Sequence, residues 1–170
     1  LVLPDAITVT RNTGKLNSKG IEFEFGAKPV KGLEITYNFG YTDAKYSSLK
    51  VSQGGNEVDL NGKRQIFTPD MTSMLAVQYS YPLGTKQAIA LVGRGEWSYI
   101  GQEYFDLANT IRQSPYQLLN LRAGVSSRSI DLFFWARNIT GKKYVAYAYD
   151  FGAVHLGDPA TKGITASFRF

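Results

Sequence analysis

The chain has 170 residues, of which 44% are hydrophobic and none is cysteine, and its formal net charge is +5. This length and apolar content suit one ordered domain and argue against disorder, while the lack of cysteine excludes disulfides and thiolate metal sites. Lys and Arg are scattered and form no basic stripe, so a nucleic-acid partner is not expected. No run of about 18 apolar residues appears, which argues against a transmembrane helix.

Apolar and polar residues alternate along the chain with the period of two that β-strands impose. The segment LEITYNFGYT, residues 33–42, keeps this alternation over its full length. The sequence therefore predicts an all-β, antiparallel fold. About eight strands are predicted, near residues 6–12, 21–25, 33–42, 75–81, 88–99, 119–125, 129–138 and 162–170.

Short and long connections alternate between these strands. Three short connections, KPVKG, PLGTK and SSRS, suit tight antiparallel turns. The others are a medium loop at 13–19 and long loops near 46–69, 103–114 and 139–161. Turns at one end and loops at the other are typical of an up-and-down transmembrane β-barrel, whose apolar face contacts lipid.

A soluble reading competes with this one, because a lipocalin-like barrel or a β-sandwich also alternates. Three features favour the membrane: long strands, asymmetric loops, and aromatic residues near the strand ends that suit the interfaces of a bilayer. The final strand, GITASFRF, keeps one apolar face as far as Phe170.

Several segments together resemble a known family. These are NSKGIEFEFGAKPVKGLEITYNFGYTDAKY, YQLLNLRAGVSSRSIDLFFWARNITGKKY and HLGDPATKGITASFRF. They are similar to the C-terminal end of TonB-dependent outer-membrane receptors of the siderophore-receptor type. The resemblance implies that residues 1–170 form a single barrel segment, about the last eight strands of a barrel of about 22 strands. It also implies that the plug domain is absent from this chain.

The function implied by the resemblance is import of ferric siderophores or similar scarce nutrients across the bacterial outer membrane. The ferric siderophore would be the transported ligand, with no cofactor bound directly. The implied partners are the TonB energy-coupling complex, outer-membrane lipid, lipopolysaccharide and the barrel-assembly machinery, which would read Phe170 as an assembly signal. The alternative is a non-gated outer-membrane porin or a small structural barrel.

Candidate sites follow from this layout. His155 is the only histidine, so histidine-based catalysis and metal clusters are disfavoured and no enzyme is expected. Charged residues on the polar faces of strands are expected to form a lumen lattice: Glu22, Glu24, Glu34, Arg94, Glu96, Arg122, Arg137 and Arg169. Ligand contacts are expected in the long loops, because exposed loops on a rigid scaffold carry binding. The candidates are Tyr104, Phe105, Arg112, Tyr144, Tyr147, Tyr149, Asp150 and His155.

Overall fold

The computed structural model describes residues 14–53, 56–84, 89–149 and 151–169. Within these ranges the chain forms twelve β-strands and no helix. They are β1 (Gly14–Ala27), β2 (Leu33–Gln53), β3 (Asn56–Asp59), β4 (Met71–Pro82), β5 (Ala90–Ile100), β6 (Glu103–Tyr104), β7 (Arg112–Gln113), β8 (Tyr116–Ser126), β9 (Ile130–Arg137), β10 (Val145–Ala148), β11 (Val154–Leu156) and β12 (Thr161–Phe168). The predicted all-β class is confirmed.

Seven of these strands form one antiparallel sheet in the order β1-β2-β4-β5-β8-β9-β12. Each long strand pairs with the next long strand along the chain, which is the up-and-down arrangement that the connections predict. The short strands lie within the connections: β3 pairs with the end of β2, and β6–β7 and β10–β11 form separate two-stranded ribbons.

The turns and loops lie at opposite ends of the sheet. Residues 28–32 and 127–129 connect strands at one end, where Gly32 adopts a φ of +85° that favours glycine. A Cβ on Gly32 would also collide with the carbonyl oxygen of Ser80. The turn between β4 and β5 lies partly outside the described residues. The three connections that contain β3, β6–β7 and β10–β11 lie at the other end, which we call the long-loop end.

The predicted loops at 13–19 and near 46–69 are wrong at residues 14–19, 46–53 and 56–59, which form strands. Residues 14–19 belong to β1 and pair with β2, which continues to Gln53. Twenty-one residues of strand span about 70 Å, roughly twice the length that about 9 to 11 residues need to cross a bilayer. The distal half of this ribbon therefore stands beyond the membrane. Neither of its faces has to be apolar there, so no alternation marked it as a strand.

One face of the sheet is apolar and exposed. Directly paired residues point to the same face, as do residues two apart on one strand. The register therefore places on one surface Phe23, Phe39, Leu75, Trp97 and Leu121. Leu121 is 46% exposed and Ile164 is 72% exposed on this surface. A soluble barrel would bury such a face, whereas a bilayer covers it. The soluble alternative is therefore wrong.

In the described part of the chain, the sheet does not close into a barrel. β1 and β12 lie at the two ends of the strand order and do not pair with each other. The predicted strand near residues 6–12 and the terminal Phe170 lie outside the described residues. Within the described ranges, no helix is long and apolar enough to cross a membrane.

Candidate ligand-binding site at the long-loop end

Hydrogen bonds connect the three long loops to one another. The backbone N–H of Phe67 in the first loop donates to the Tyr104 carbonyl in the second at 2.9 Å. The Arg64 N–H donates to Asn109 Oδ1 at 2.6 Å, and the Asn109 side-chain amide donates back to the Arg64 carbonyl. The Val145 N–H in the third loop donates to Gln113 Oε1 at 2.7 Å. The loops are therefore one connected assembly.

Five aromatic residues from all three loops meet at this end, and we call them the loop aromatic cluster: Phe67, Phe105, Tyr147, Tyr149 and Phe151. Phe67 stacks on Tyr147 with ring centroids 5.0 Å apart and packs on Phe105 at 5.8 Å. Tyr149 contacts Tyr147 edge to face at 4.4 Å and stacks on Phe151 at 4.8 Å. A continuous row of rings results.

One ring of the cluster is buried and three rings are exposed to solvent. Phe105 is 5% exposed, whereas Phe151 is 75% exposed and Phe67 and Tyr149 are also exposed. Exposed aromatic rings outside the membrane offer flat apolar faces with, for tyrosine, a polar hydroxyl at the edge. Such a surface suits a ligand that has apolar and polar parts.

The backbone at Phe67 is strained. Its φ is +54°, a left-handed conformation that costs a residue with a Cβ about 1–2 kcal/mol. The N–H bond to Tyr104 and the stack on Tyr147 hold it in place. Strain that the surrounding structure maintains is common at ligand-binding positions.

Two charged groups in the second loop have shifted pKa values. Burial raises the pKa of the Glu103 carboxyl. Burial would also raise the pKa of Asp106, but hydrogen bonds from Ile111 and Thr110 outweigh it and lower that pKa below its usual range. Asp106 Oδ1 accepts from the Ile111 N–H at 2.6 Å, and Oδ2 accepts from the Thr110 hydroxyl at 2.8 Å. Asp106 is therefore a structural anion of this loop.

The structure brings some of the predicted ligand residues together and separates others. Phe105, Tyr147 and Tyr149 belong to the loop aromatic cluster, and His155 on β11 is paired directly with Tyr147 on β10. Tyr104 and Arg112 are paired across the β6–β7 ribbon, and the Tyr104 carbonyl accepts from the Phe67 N–H of the cluster. Asp150 lies outside the described residues.

Tyr144 has a packing role in the third loop. Its ring stacks on that of Tyr116 with centroids 4.3 Å apart. A Cβ on Gly157 would collide with the same ring, so the loop backbone passes directly against Tyr144. Tyr144 is thus placed as an anchor of the loop on β8.

Sequence reasoning missed Phe67 and Phe151. Phe151 continues the alternation of Tyr147 and Tyr149 in the segment YAYDF, which was a usable signal. Phe67 stacks on a residue eighty positions later in the chain, and nothing in its local sequence indicates that contact.

Seven of the eight charged residues predicted as a lattice lie on strands, on the sheet face opposite the apolar one, and Arg169 follows the end of β12. The register places Glu24, Arg94, Arg122 and Arg137 on that face. Arg94 donates to Glu96 at 3.1 Å. Further ion pairs at the short-turn end join Glu34 to Lys28 at 2.7 Å and Arg169 to Asp131.

In the described ranges, no three or more His, Asp or Glu side chains are grouped so that they could hold a metal ion.

The sequence profile of the family "TonB dependent receptor-like, beta-barrel" matches residues 2–139. The chain belongs to this family. TonB-dependent receptor barrels lie in the outer membrane, and the exposed apolar face of the sheet fits that location.

Curated proteins similar to the chain are named as receptors or transporters. The chain is 29% identical over 169 residues to the ferrioxamine receptor of Yersinia enterocolitica, an alignment that covers 92% of the chain and 21% of that protein. It is 23% identical to the ferrichrome outer membrane transporter/phage receptor of Escherichia coli K12, covering 92% of the chain and 20% of that protein. The chain spans about a fifth of the length of these relatives.

Solved structures share the fold. The ferric yersiniabactin uptake receptor FyuA from Yersinia pestis aligns over 94% of the chain and 24% of its own length, with a TM-score of 0.79 and 22% identity. The siderophore receptor PiuA from Acinetobacter baumannii aligns over 90% of the chain and 22% of its own length, with a TM-score of 0.75 and 20% identity. The described sheet thus has the shape of a segment of a TonB-dependent receptor barrel.

Proposed function

We propose that this chain is the C-terminal barrel segment of a TonB-dependent receptor that imports ferric siderophores or similar scarce nutrients. The family match and the names of the ferrioxamine and ferrichrome relatives support this proposal. The observation that supports it is the loop aromatic cluster, which three loops build together at the long-loop end of the sheet. In this proposal that end faces the cell exterior. The segment has no catalytic role in this proposal.

The cluster would contact the chelate through its exposed rings. Phe67, Tyr149 and Phe151 offer ring faces to the apolar parts of the ligand, and the Tyr149 hydroxyl and His155 offer polar contacts at the edge. The buried Phe105 would support these rings from below. Arg112 is exposed on the neighbouring ribbon, where it suits an anionic group of the chelate.

The remaining partners belong to the whole receptor. Energy coupling to TonB would act through parts of the receptor outside these 170 residues. The charged sheet face would line the barrel lumen, since lipid covers the opposite face. Exposed cations at the long-loop end, such as Lys142 and Lys143, would meet lipopolysaccharide phosphates.

Growth assays test the proposal. A strain deleted for the full-length receptor would carry the wild-type gene or one of the variants Tyr149→Ala, Phe151→Ala and Tyr81→Ala. Tyr81→Ala is the control, because Tyr81 is an exposed tyrosine at the opposite end of the sheet. Several iron chelates are offered in turn as the iron source, and we expect growth on one of them to require the receptor. Loss of one ring contact should raise the chelate concentration needed by about tenfold, since about 1.4 kcal/mol corresponds to a factor of ten.

Surface abundance, measured in the same cells, separates ligand contact from folding. The loop variants should match Tyr81→Ala in abundance and differ from it in chelate requirement. Receptor-independent growth on every chelate of the panel would contradict the import function. Unchanged growth of both loop variants would contradict the assignment of the site.

A further inference from the structure

A depression of about 370 Å³ opens on the charged face of the sheet across β5, β8, β9 and β12. Its lining includes Arg94, Glu96, Arg122, Trp135, Arg137 and Thr165. Three guanidinium groups and one carboxylate share this space, so its side chains carry a net positive charge.

Two of these arginines are placed against each other. Arg94 on β5 and Arg122 on β8 are direct cross-strand partners. Like charges in this position repel, and such pairs destabilise a sheet. Glu96 bonds to Arg94 and also accepts from Asn120 at 3.4 Å, so its two oxygens are already engaged.

Arg122 and Arg137 have no carboxylate within salt-bridge distance among the described residues. Aromatic rings hold both guanidinium groups instead. The Arg122 guanidinium lies 3.8 Å from the centroid of the Phe133 ring, and that of Arg137 lies 5.2 Å from Trp135. Stacking fixes a guanidinium plane and leaves its N–H donors free for an oxyanion.

We propose that this depression is an oxyanion site that takes a carboxylate, held by Arg122 together with Arg94 and Arg137. A carboxylate would relieve the repulsion between Arg94 and Arg122 and occupy the free donors of the stacked guanidinium groups. The carboxylate could come from an acidic side chain of the receptor outside these 170 residues or from a small acidic solute in the lumen. The site is distinct from the loop aromatic cluster and does not depend on the identity of the chelate.

Carbodiimide coupling in the full-length, detergent-purified receptor tests the site. Arg122→Lys places a primary amine in the depression. Carbodiimide activates a carboxylate in contact with this amine, and the amine then forms an amide while the carbodiimide leaves as the urea. Arg128→Lys places the same amine in the exposed turn after β8, outside the lining. Each variant is treated with and without citrate, and the coupled peptides are identified by mass spectrometry. Arg137→Lys, at the other stacked guanidinium of the lining, serves as a second variant if Arg122→Lys reduces receptor yield.

In Arg122→Lys, an amide between the new amine and a receptor carboxylate outside residues 1–170 supports the site and identifies a side chain as its source. A citrate amide formed about tenfold more in Arg122→Lys than in Arg128→Lys supports the site with a solute source, since a cleft of one charge sign concentrates counter-ions about tenfold or more. Coupling of the amine at position 122 to no receptor carboxylate other than Glu96, together with citrate coupling equal in the two variants, would overturn the proposal.

Discussion

Asn138 shows how a single residue fixes the start of the third loop. It is 4% exposed, and its φ of +46° lies in the left-handed region. Its side-chain amide donates to the carbonyls of Lys142 and Asp158, each at 2.9 Å, and its Oδ1 accepts from the Lys142 N–H. Asparagine suits this position because it tolerates positive φ and can satisfy backbone groups on both sides of a turn.

Replacing Asn138 by Ala should loosen this loop. The lost bonds leave buried backbone groups unpaired at a cost of about 1–3 kcal/mol, and Ala also retains the strain of positive φ. Asn138→Gly loses the same bonds but relieves that strain, so it should be about 1 kcal/mol milder. The measurement is the rate of tryptic cleavage at Lys142 and Lys143 in the folded receptor. Equal rates for Asn, Ala and Gly would show that Asn138 does not organise the loop.

Asp106 gives the second loop a pH dependence. Its pKa is lowered, so the ionised carboxylate stabilises the loop at any pH above the ordinary Asp pKa of about 3.9. This stability is lost as pH falls from there through the lower folded pKa. Hydrogen exchange of the Ile111 N–H, corrected for its intrinsic rate, should therefore accelerate on acidification below about pH 4.

Asp106→Asn is the control for this titration, because it keeps the shape of the side chain and removes the charge. It should exchange faster near neutral pH and lose the acid-dependent step. Glu103 changes the stability of the loop in the opposite direction on acidification. Burial raises its pKa, and protonation removes the cost of burying its charge. A step of the same size in Asp106→Asn would assign the acid sensitivity to another group.

At the scale of strands, the sequence predicts the segments in which contact with lipid requires alternating apolar side chains. The segments 33–42 and 119–125 alternate cleanly because every second side chain must be apolar inside a bilayer, and both lie in strands of the main sheet. The distal part of β2 lies outside the bilayer and does not need alternating apolar side chains. It is recognised as a strand by its backbone pairing with β1. Phe133 and Trp135 disturb the pattern of β9 because they stack under arginines on the charged face.

The site was less predictable than the strands. Alternation in YAYDF indicates neighbouring rings, but the stack of Phe67 on Tyr147 depends on how two distant loops fold together. The like-charged pair of Arg94 and Arg122 also requires the register of β5 and β8, which no local pattern supplies. Contacts between elements distant in sequence were the part that required the structure.

An arginine introduced on the apolar face of β8 should destabilise the receptor more, the closer it lies to the middle of the membrane. Leu121 lies at the middle of this strand and Val125 near its end, and both are exposed on that face. Leu121→Arg should lower the free energy of unfolding by about 2–4 kcal/mol, against about 0–1 kcal/mol for Val125→Arg. Equilibrium unfolding of the full-length receptor in phospholipid vesicles measures both. Equal costs would indicate that the bilayer is centred elsewhere on the strand.

At the scale of the whole molecule, β1 and β12 determine whether the sheet closes on itself. Edge strands expose backbone N–H and C=O groups, which lipid penalises by several kcal/mol for each unpaired group. A small closed barrel would satisfy them by pairing the last strand with the first part of this chain. A segment of a larger barrel would satisfy them with strands from the rest of the receptor.

Disulfide cross-linking separates these two arrangements, and the absence of native cysteine in these 170 residues keeps the background low here. Leu132 and Ala166 are direct partners on β9 and β12, so cysteines at these positions should cross-link and serve as the positive control. Cysteines placed singly at positions 8 to 10, or at Phe23 of β1, should fail to cross-link to Ala166→Cys in the full-length receptor. The family match and the open strand order predict this failure, because other strands would stand between the two edges. A cross-link from any of these positions to residue 166 would instead establish a small barrel closed within this chain.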